Sequence, residues 1–350
     1  MTMSRRHALA LAGASLSAPL VARTAWGQAA QVTLRLHHFL PPVSNAHQRF
    51  LLPWSRNVET ASGGRLKVEI FPSMQLGGAP PQLYDQARDG VVDIVWTLPG
   101  NTPGRFPATE AMELPFIAGK RAVTNSKAMA ELFPVHFARE YAETQILCIW
   151  AHDHGLIHSN KQVRTQADLA GLKLRFPTRQ AGEALRALGA TAIGMPIPQV
   201  PEALAQGVIE GAVVPWEVVP ALRLHELVRH HTEIPGSPTL YTATFVLAMN
   251  KARYEGLPAD LKKVLDDHSG MAAATMAGAM WDERGTAVSE MVRQRPRNTI
   301  TVLAEDEAAR WRQATRSVEE AWIRAVRERG LDGQKIVDDV RAAVAKHMMA

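Results

Sequence analysis

Val32, Leu34 and Leu36 alternate with Thr33, Arg35 and His37, the period-two signature of a strand, which must end by Pro41-Pro42. From 45 to 61 the spacing changes. Phe50, Trp54 and Val58 lie four apart, on one face of a helix, although Pro53 in the interior opposes a continuous one. Gly63-Gly64 stops that helix, and Leu66, Val68 and Ile70 predict a second strand closed by Pro72. Pro80-Pro81 opens a short helix through Ala87, ended by Gly90. The apolar run 91–98, interrupted by Asp93, suits a strand buried on both faces of a parallel sheet.

The same grammar restarts in the second half. Residues 146–149 form a short apolar run, and Leu172, Leu174 and Phe176 alternate with Lys173 and Arg175. A helix follows from about Gln180, with Ala184, Leu185 and Leu188 inward and Gly189 as its stop. Pro201 takes the first position of another helix, and 208–215 is again a buried-strand run. Residues 257–294 predict one or two long helices, and 303–326 with 332–347 complete a helical C-terminus. Strands alternating with helices argue for an α/β layer architecture, here as two lobes with a cleft between them.

Composition narrows the function. The 350 residues suit about two domains, by a prior of roughly 150 residues each. Cys148 is the sole cysteine, so no internal disulfide and no thiolate metal cluster is expected. Residues 1–27 carry Arg5, Arg6 and Arg23 and no acid. Without them 36 basic residues face 34 acidic ones, and the formal charge drops from +5 to +2. Such a near-neutral chain with no long basic run presents no footprint for nucleic acid. Arg5-Arg6 before the small apolar stretch 8–22 is read as an export signal resembling the twin-arginine type, with cleavage expected after Ala25-Trp26-Gly27 or in Gln28-Ala29-Ala30. The stretch is too short for a membrane span, which needs about 20 apolar residues. The mature protein is expected in the periplasm.

Catalytic motifs are absent: no G-x-S-x-G, no phosphate-cradling loop, no G-x-G-x-x-G after a strand, no H-E-x-x-H. One constellation suggests metal chemistry. His152, His154 and His158 on an extended strand would share a face beside Asp153, the donor set of a zinc hydrolase; cleft-lining or surface histidines are the bland alternative. His230-His231 is expected to face solvent, and His38 to sit at a strand end beside a cleft. Arg175 lies opposite Leu174 and Phe176, immediately before Pro177. A guanidinium at the carboxyl end of a strand stands where α/β sheets bind ligands and offers a planar fork to a carboxylate. A surface ion pair is the competing reading.

The segment GLKLRFPT at 171–178, preceded by TQADLA and followed by ALRALGATAIGMP at 184–196, resembles the DctP-type solute-binding proteins of tripartite ATP-independent periplasmic (TRAP) transporters. GGRLKVEIFPSMQLGG at 63–78, DGVVDIVW at 89–96, ELPF at 113–116 and ALAQGVIEGAVVP at 203–215 continue the resemblance in order over nearly the whole mature chain. It implies a two-lobed binding-protein fold joined by crossing strands and a long hinge helix. The implied division is 28–150 plus about 240–280 for lobe I, 151–239 plus about 281–335 for lobe II, and a C-terminal helix at 336–350. It implies a non-enzyme without cofactors, expected as a monomer, that closes over a small organic acid and delivers it to a TRAP permease. The arginine of the family's G-L-K-x-R motif, which pairs with the ligand's carboxylate, corresponds to Arg175.

Two departures bear on the ligand. Many relatives carry a second arginine where this chain reads His154-Gly155-Leu156, and often a polar residue where it reads Val213-Val214-Pro215, followed by Trp216-Glu217. One arginine with His152, His154, Glu217, the valines and Trp216, and with Trp96, His38 and Phe245 as further candidates, suits a monocarboxylate with an apolar body. An aryl or branched 2-hydroxy or 2-oxo acid is expected. A binding protein serving an ATP-driven transporter or a sensor is the other non-enzymatic reading.

Overall fold

The computed structural model describes residues 30–349, so the export signal read at 1–27 lies outside the described residues. In chain order the strands are β1 (Val32–His38), β2 (Leu66–Phe71), β3 (Ile94–Thr97), β4 (Thr144–Ala151), β5 (Leu156–Ser159), β6 (Lys173–Phe176), β7 (Thr191–Gly194), β8 (Gly211–Val214), β9 (His230–Glu233), β10 (Thr244–Asn250) and β11 (Thr299–Val302). They form two sheets and hence two lobes. One is ordered β2-β1-β3-β10-β4, the other β11-β9-β5-β8-β6-β7. β1 runs parallel to β2 and β3, and β6 parallel to β7 and β8, as the strand–helix alternation requires.

The antiparallel members make the cleft. β10 returns from the second lobe to insert between β3 and β4 of the first, antiparallel to both. The chain therefore crosses between lobes at 151–156 and again at 233–244. The two crossings are bonded together: His152 N–H donates to Ala243 O at 3.0 Å and Gly155 N–H to Tyr241 O at 3.1 Å. His152 O in turn accepts from Asn125 Nδ2 and Thr242 Oγ1, both at 2.8 Å. These hydrogen bonds make the buried pair of extended segments a defined hinge.

Helices bridge the rest. The helix Gly270–Arg293 buries Trp281 in the first core, and its Asp282 accepts from the free backbone N–H groups of Ala122 (2.6 Å) and Val123 (3.2 Å) at the start of the helix Ala122–Leu132. The helix Glu305–Arg327 belongs to both lobes, with Ala308 and Trp311 in the second core and Val318, Trp322 and Val326 in the first. The helix Gly333–Met348 packs Ile336, Val340 and Val344 on the first lobe.

The structure refines some of these expectations and corrects others. The helix through Pro53 is continuous because a π-helical stretch, Ala46–Leu51, precedes the α-helix Leu52–Ala61, so the proline falls at an N-terminal position where its missing N–H costs little. The strand expected at 91–98 begins at Ile94, since Asp93 Oδ2 takes the Arg35 N–H (2.7 Å) that a ladder partner would have used, and Val91 is exposed. The strand expected over 208–215 is confined to Gly211–Val214. The region 257–294 is two helices, Ala259–Asp267 and Gly270–Arg293. His231 is buried rather than solvent-facing, because β9 pairs with β5 and sets its ring against His158.

Candidate ligand-binding site

The carboxyl ends of β1, β3, β6 and β8 point into one cavity between the lobes, which is where open α/β sheets bind ligands. Phe39 and Leu40 follow β1, Trp96 is the penultimate residue of β3 and Leu98 follows that strand, Arg175 and Pro177 flank the last residue of β6, and Val213 and Val214 end β8 with Pro215 just beyond. His152, Tyr241, Ala243 and Phe245 enter from the crossing segments, and Glu217 and Val218 from the turn after β8. The cavity measures about 50 Å³ counted by the centres of water-sized spheres. At about 10–15 Å³ per water on that measure it holds roughly three to five waters, a displaced volume of roughly 100–150 Å³ that suits one compact acid.

Of the eight residues expected at the site, five line this cavity: Arg175, His152, Trp96, Glu217 and Phe245. Arg175 is buried to 2% exposure. Its Nε donates to Met195 O at 2.9 Å and Nη1 to Val213 O at 3.4 Å, which fixes the plane of the fork. No acidic side chain forms an ion pair with it among the described residues. Burial lowers its pKa to about 10, so it remains a cation at neutral pH. An unpaired buried cation is unfavourable, and a carboxylate entering the cavity would relieve it.

Burial shifts the other ionisable groups of the cavity toward their neutral forms. His152 stacks on Trp281 at 3.7 Å with 17° between planes, and its Nε2 lies 3.5 Å from Glu217 Oε1. Burial depresses its pKa to about 4, leaving a neutral ring. Burial also raises the Glu217 carboxyl, which accepts from Asn45 Nδ2 at 3.2 Å across the cleft. Trp96 is held between Phe39, at 5.0 Å, and Phe245, at 5.5 Å, both in stacked orientation. One cation and an aromatic wall can hold one carboxylate and a flat apolar body.

Three expected site residues lie elsewhere. His154 sits behind the hinge with Nδ1 3.2 Å from Lys120 O, facing a separate surface hollow with Asp153 and Asp282. Trp216 donates Nε1 to Glu233 Oε1 at 2.9 Å and packs on His158, on the far side of the turn that brings Glu217 inward. His38 lies beneath Trp96, its Nε2 2.9 Å from His47 Nδ1, and burial, reinforced by the neighbouring histidines, takes its pKa to about 3. The zinc constellation is not formed. β4 ends at Ala151 and β5 begins at Leu156, so the three histidines part into cavity, hinge back and second core; among the described residues no group of three or more His, Cys, Asp or Glu side chains could hold a metal ion.

Phe39, Leu40, Asn101, Ile197 and Tyr241 also line the cavity and are among its residues that the sequence expectations did not include. Phe39 and Asn101 were within reach of a rule, since each lies just beyond a parallel strand. Tyr241 carries no such signal, because it belongs to a crossing segment between sheets.

The lobes touch around the cavity. Gln180 Nε2 in the second lobe donates to Glu110 Oε2 in the first at 2.6 Å, and a Cβ on Gly100 would fall 2.7 Å from Thr178 Cγ2. This is a closed arrangement.

Comparison with known proteins agrees with this architecture. Residues 36–325 match the family described as bacterial extracellular solute-binding protein, family 7 (DctP). A TRAP solute-binding protein from Rhodoferax ferrireducens T118, solved with copurified benzoate, is 45% identical, superposes with a TM-score of 0.88 and covers 91% of this chain and 99% of its own. A marine metagenome TRAP protein specific for aromatic acid ligands, solved with 3-hydroxybenzoate, is 43% identical with a TM-score of 0.88 over the same shares. A Bordetella bronchiseptica TRAP protein with bound (R)- and (S)-mandelate is 29% identical, with a TM-score of 0.84 over 90% of this chain and 99% of its own.

Proposed function

The chain belongs to family 7 of the bacterial extracellular solute-binding proteins, the DctP family, and on that premise we propose that it captures an aromatic monocarboxylate and hands it to a TRAP permease. Proteins of this family are non-enzymatic components of transporters, which excludes the hydrolase reading. The observation that carries the ligand class is Arg175: a buried guanidinium with no acidic partner, set in a cavity whose remaining wall is largely aromatic and aliphatic. A dicarboxylate would present a second charge to neutral His152 and to Glu217, an acid itself, at the cost of burying an unpaired anion. The acids held by the benzoate, 3-hydroxybenzoate and mandelate binders support the same choice.

In this reading the acid docks its carboxylate on Arg175, its ring fills the space between Trp96, Phe245 and the β8 valines, and closure at the hinge removes it from water. A bidentate pair with the guanidinium and burial of one ring at about 25 cal/mol per Å² give, after association costs, a Kd on the order of micromolar. The protein acts in the periplasm as a monomer after loss of the segment 1–27, and its lobes comprise 28–150 with about 240–280 and 151–239 with about 281–335. The strand membership of the two sheets supports that division. The test is titration calorimetry of the purified protein against benzoate, 3-hydroxybenzoate, mandelate and succinate. Micromolar binding of the aromatic acids is expected, and stabilisation by succinate alone overturns the proposal.

A further inference from the structure

The hydroxyl of Tyr241 is an anomaly. The residue is 2% exposed and lines the ligand cavity, yet its Oη is buried with no hydrogen-bond partner in the protein. Buried hydroxyls are nearly always paired, and one left unpaired in a ligand cavity calls for a partner that the protein itself does not supply. Its position is not accidental. Tyr241 O accepts from Gly155 N–H at 3.1 Å where the two crossing segments pair, and the ring lies directly over Gly155. A Cβ at 155 would overlap Tyr241 Cε1 and fall 2.5 Å from Oη, so only glycine there admits the ring. Arg175 lines the same cavity, and its charge acts on the phenol against the effect of burial.

Resting on the carboxylate reading above, we propose that Tyr241 is the second ligand of the bound carboxylate, donating its O–H to an oxygen held by the Arg175 fork. The two N–H groups of a bidentate guanidinium fork and the phenol O–H together supply three donors to two carboxylate oxygens. Tyr241 has no acceptor within the protein, so its O–H is left to whatever occupies the cavity, and the bound acid is the acceptor proposed for it. Because the tyrosine stands on one crossing segment and covers a glycine of the other, the bond ties the acid to the hinge as well as to the second lobe. Trp96 Nε1 is also without a partner, but its ring is fixed in the aromatic wall by Phe39 and Phe245 and is assigned to the body of the ligand.

The experiment is calorimetry of wild type and Tyr241→Phe with benzoate, together with the melting temperature of each without ligand. Loss of one hydrogen bond to a charged acceptor raises Kd about ten- to hundredfold. The ligand-free variant should melt at or above the wild-type temperature, because the hydroxyl it loses had no partner. A structural tyrosine would behave in the opposite way, with a lowered melting temperature and unchanged Kd. Wild-type protein that binds no aromatic acid defeats the function proposed above. Wild-type binding with a Tyr241→Phe affinity within threefold of it defeats this inference alone.

Discussion

Replacing Arg175 tests the centre of the site. Its guanidinium commits one N–H to Met195 O (2.9 Å) and one, more weakly, to Val213 O (3.4 Å). Arginine has five N–H donors, so three remain for a ligand. Two charge-assisted hydrogen bonds at about 1.5–3 kcal/mol each amount to about 3–6 kcal/mol before desolvation. The guanidinium is already desolvated in the folded protein, since it is buried without an acid beside it. Arg175→Ala should therefore cost at least about 2 kcal/mol of binding, roughly thirtyfold in Kd, and leave the fold intact. Arg175→Met keeps most of the volume, and without ligand it should unfold at or above the wild-type temperature, because an unpaired buried charge has gone. Arg175→Lys should also bind poorly, since an ammonium cannot reproduce the fork. Titration with benzoate at pH 7, with scanning calorimetry of each ligand-free variant, reads both quantities. A Kd within threefold of wild type for Arg175→Ala would refute the reasoning and move the anion elsewhere.

Two more outcomes rest on the packing. Gly100 meets Thr178 across the cleft at a backbone conformation that other residues also adopt, so Gly100→Val should wedge the lobes apart. A tenfold or greater loss of benzoate affinity is expected, with no ligand-induced contraction by small-angle X-ray scattering; normal contraction would show that closure does not use this contact. Glu113 is buried in the first lobe, accepts from Thr244 N–H (3.0 Å) and Oγ1 (2.6 Å), and burial raises its pKa to about 8. The folded state thus holds a proton that the unfolded chain releases near its ordinary value of 4.5, and this group's stabilisation falls as pH rises from there to about 8. Glu113→Gln should flatten that decline, measured as the difference in melting temperature between the two proteins at pH 5 and pH 8; parallel curves would show that Glu113 does not titrate in this range.

Much of the scaffold was legible because it depends on local rules. Alternation at 32–36 and at 172–176, with a proline soon after each stretch, located β1 and β6, and the glycines at 90 and 189 marked the stops of two helices. Position at the end of β6 left Arg175 divided between a ligand-binding cation and a surface ion pair, and it was the resemblance of GLKLRFPT to the family's motif that favoured the first. Trp96 came from its place near a strand end, whereas no strand rule pointed to Phe245. The histidines escape such rules, because period-two reasoning holds only while a strand continues, and the chain leaves β4 at Ala151 and re-enters a different sheet at Leu156. His152 thereby reaches the cavity while His158 is turned against His231 in the other lobe.

Local sequence was enough for the family and the two α/β lobes, and it offered Arg175 as a candidate, since each is written in neighbours within a few positions of one another. Which of the polar residues share the cavity was settled by the folded chain alone. Tyr241 lies 66 positions from Arg175 and 86 from Gly155 along the chain, and no local pattern encodes that the hinge sets the phenol over the glycine and in one cavity with the guanidinium. That juxtaposition is a property of two crossing segments held together by hydrogen bonds, and it exists only once both lobes have folded.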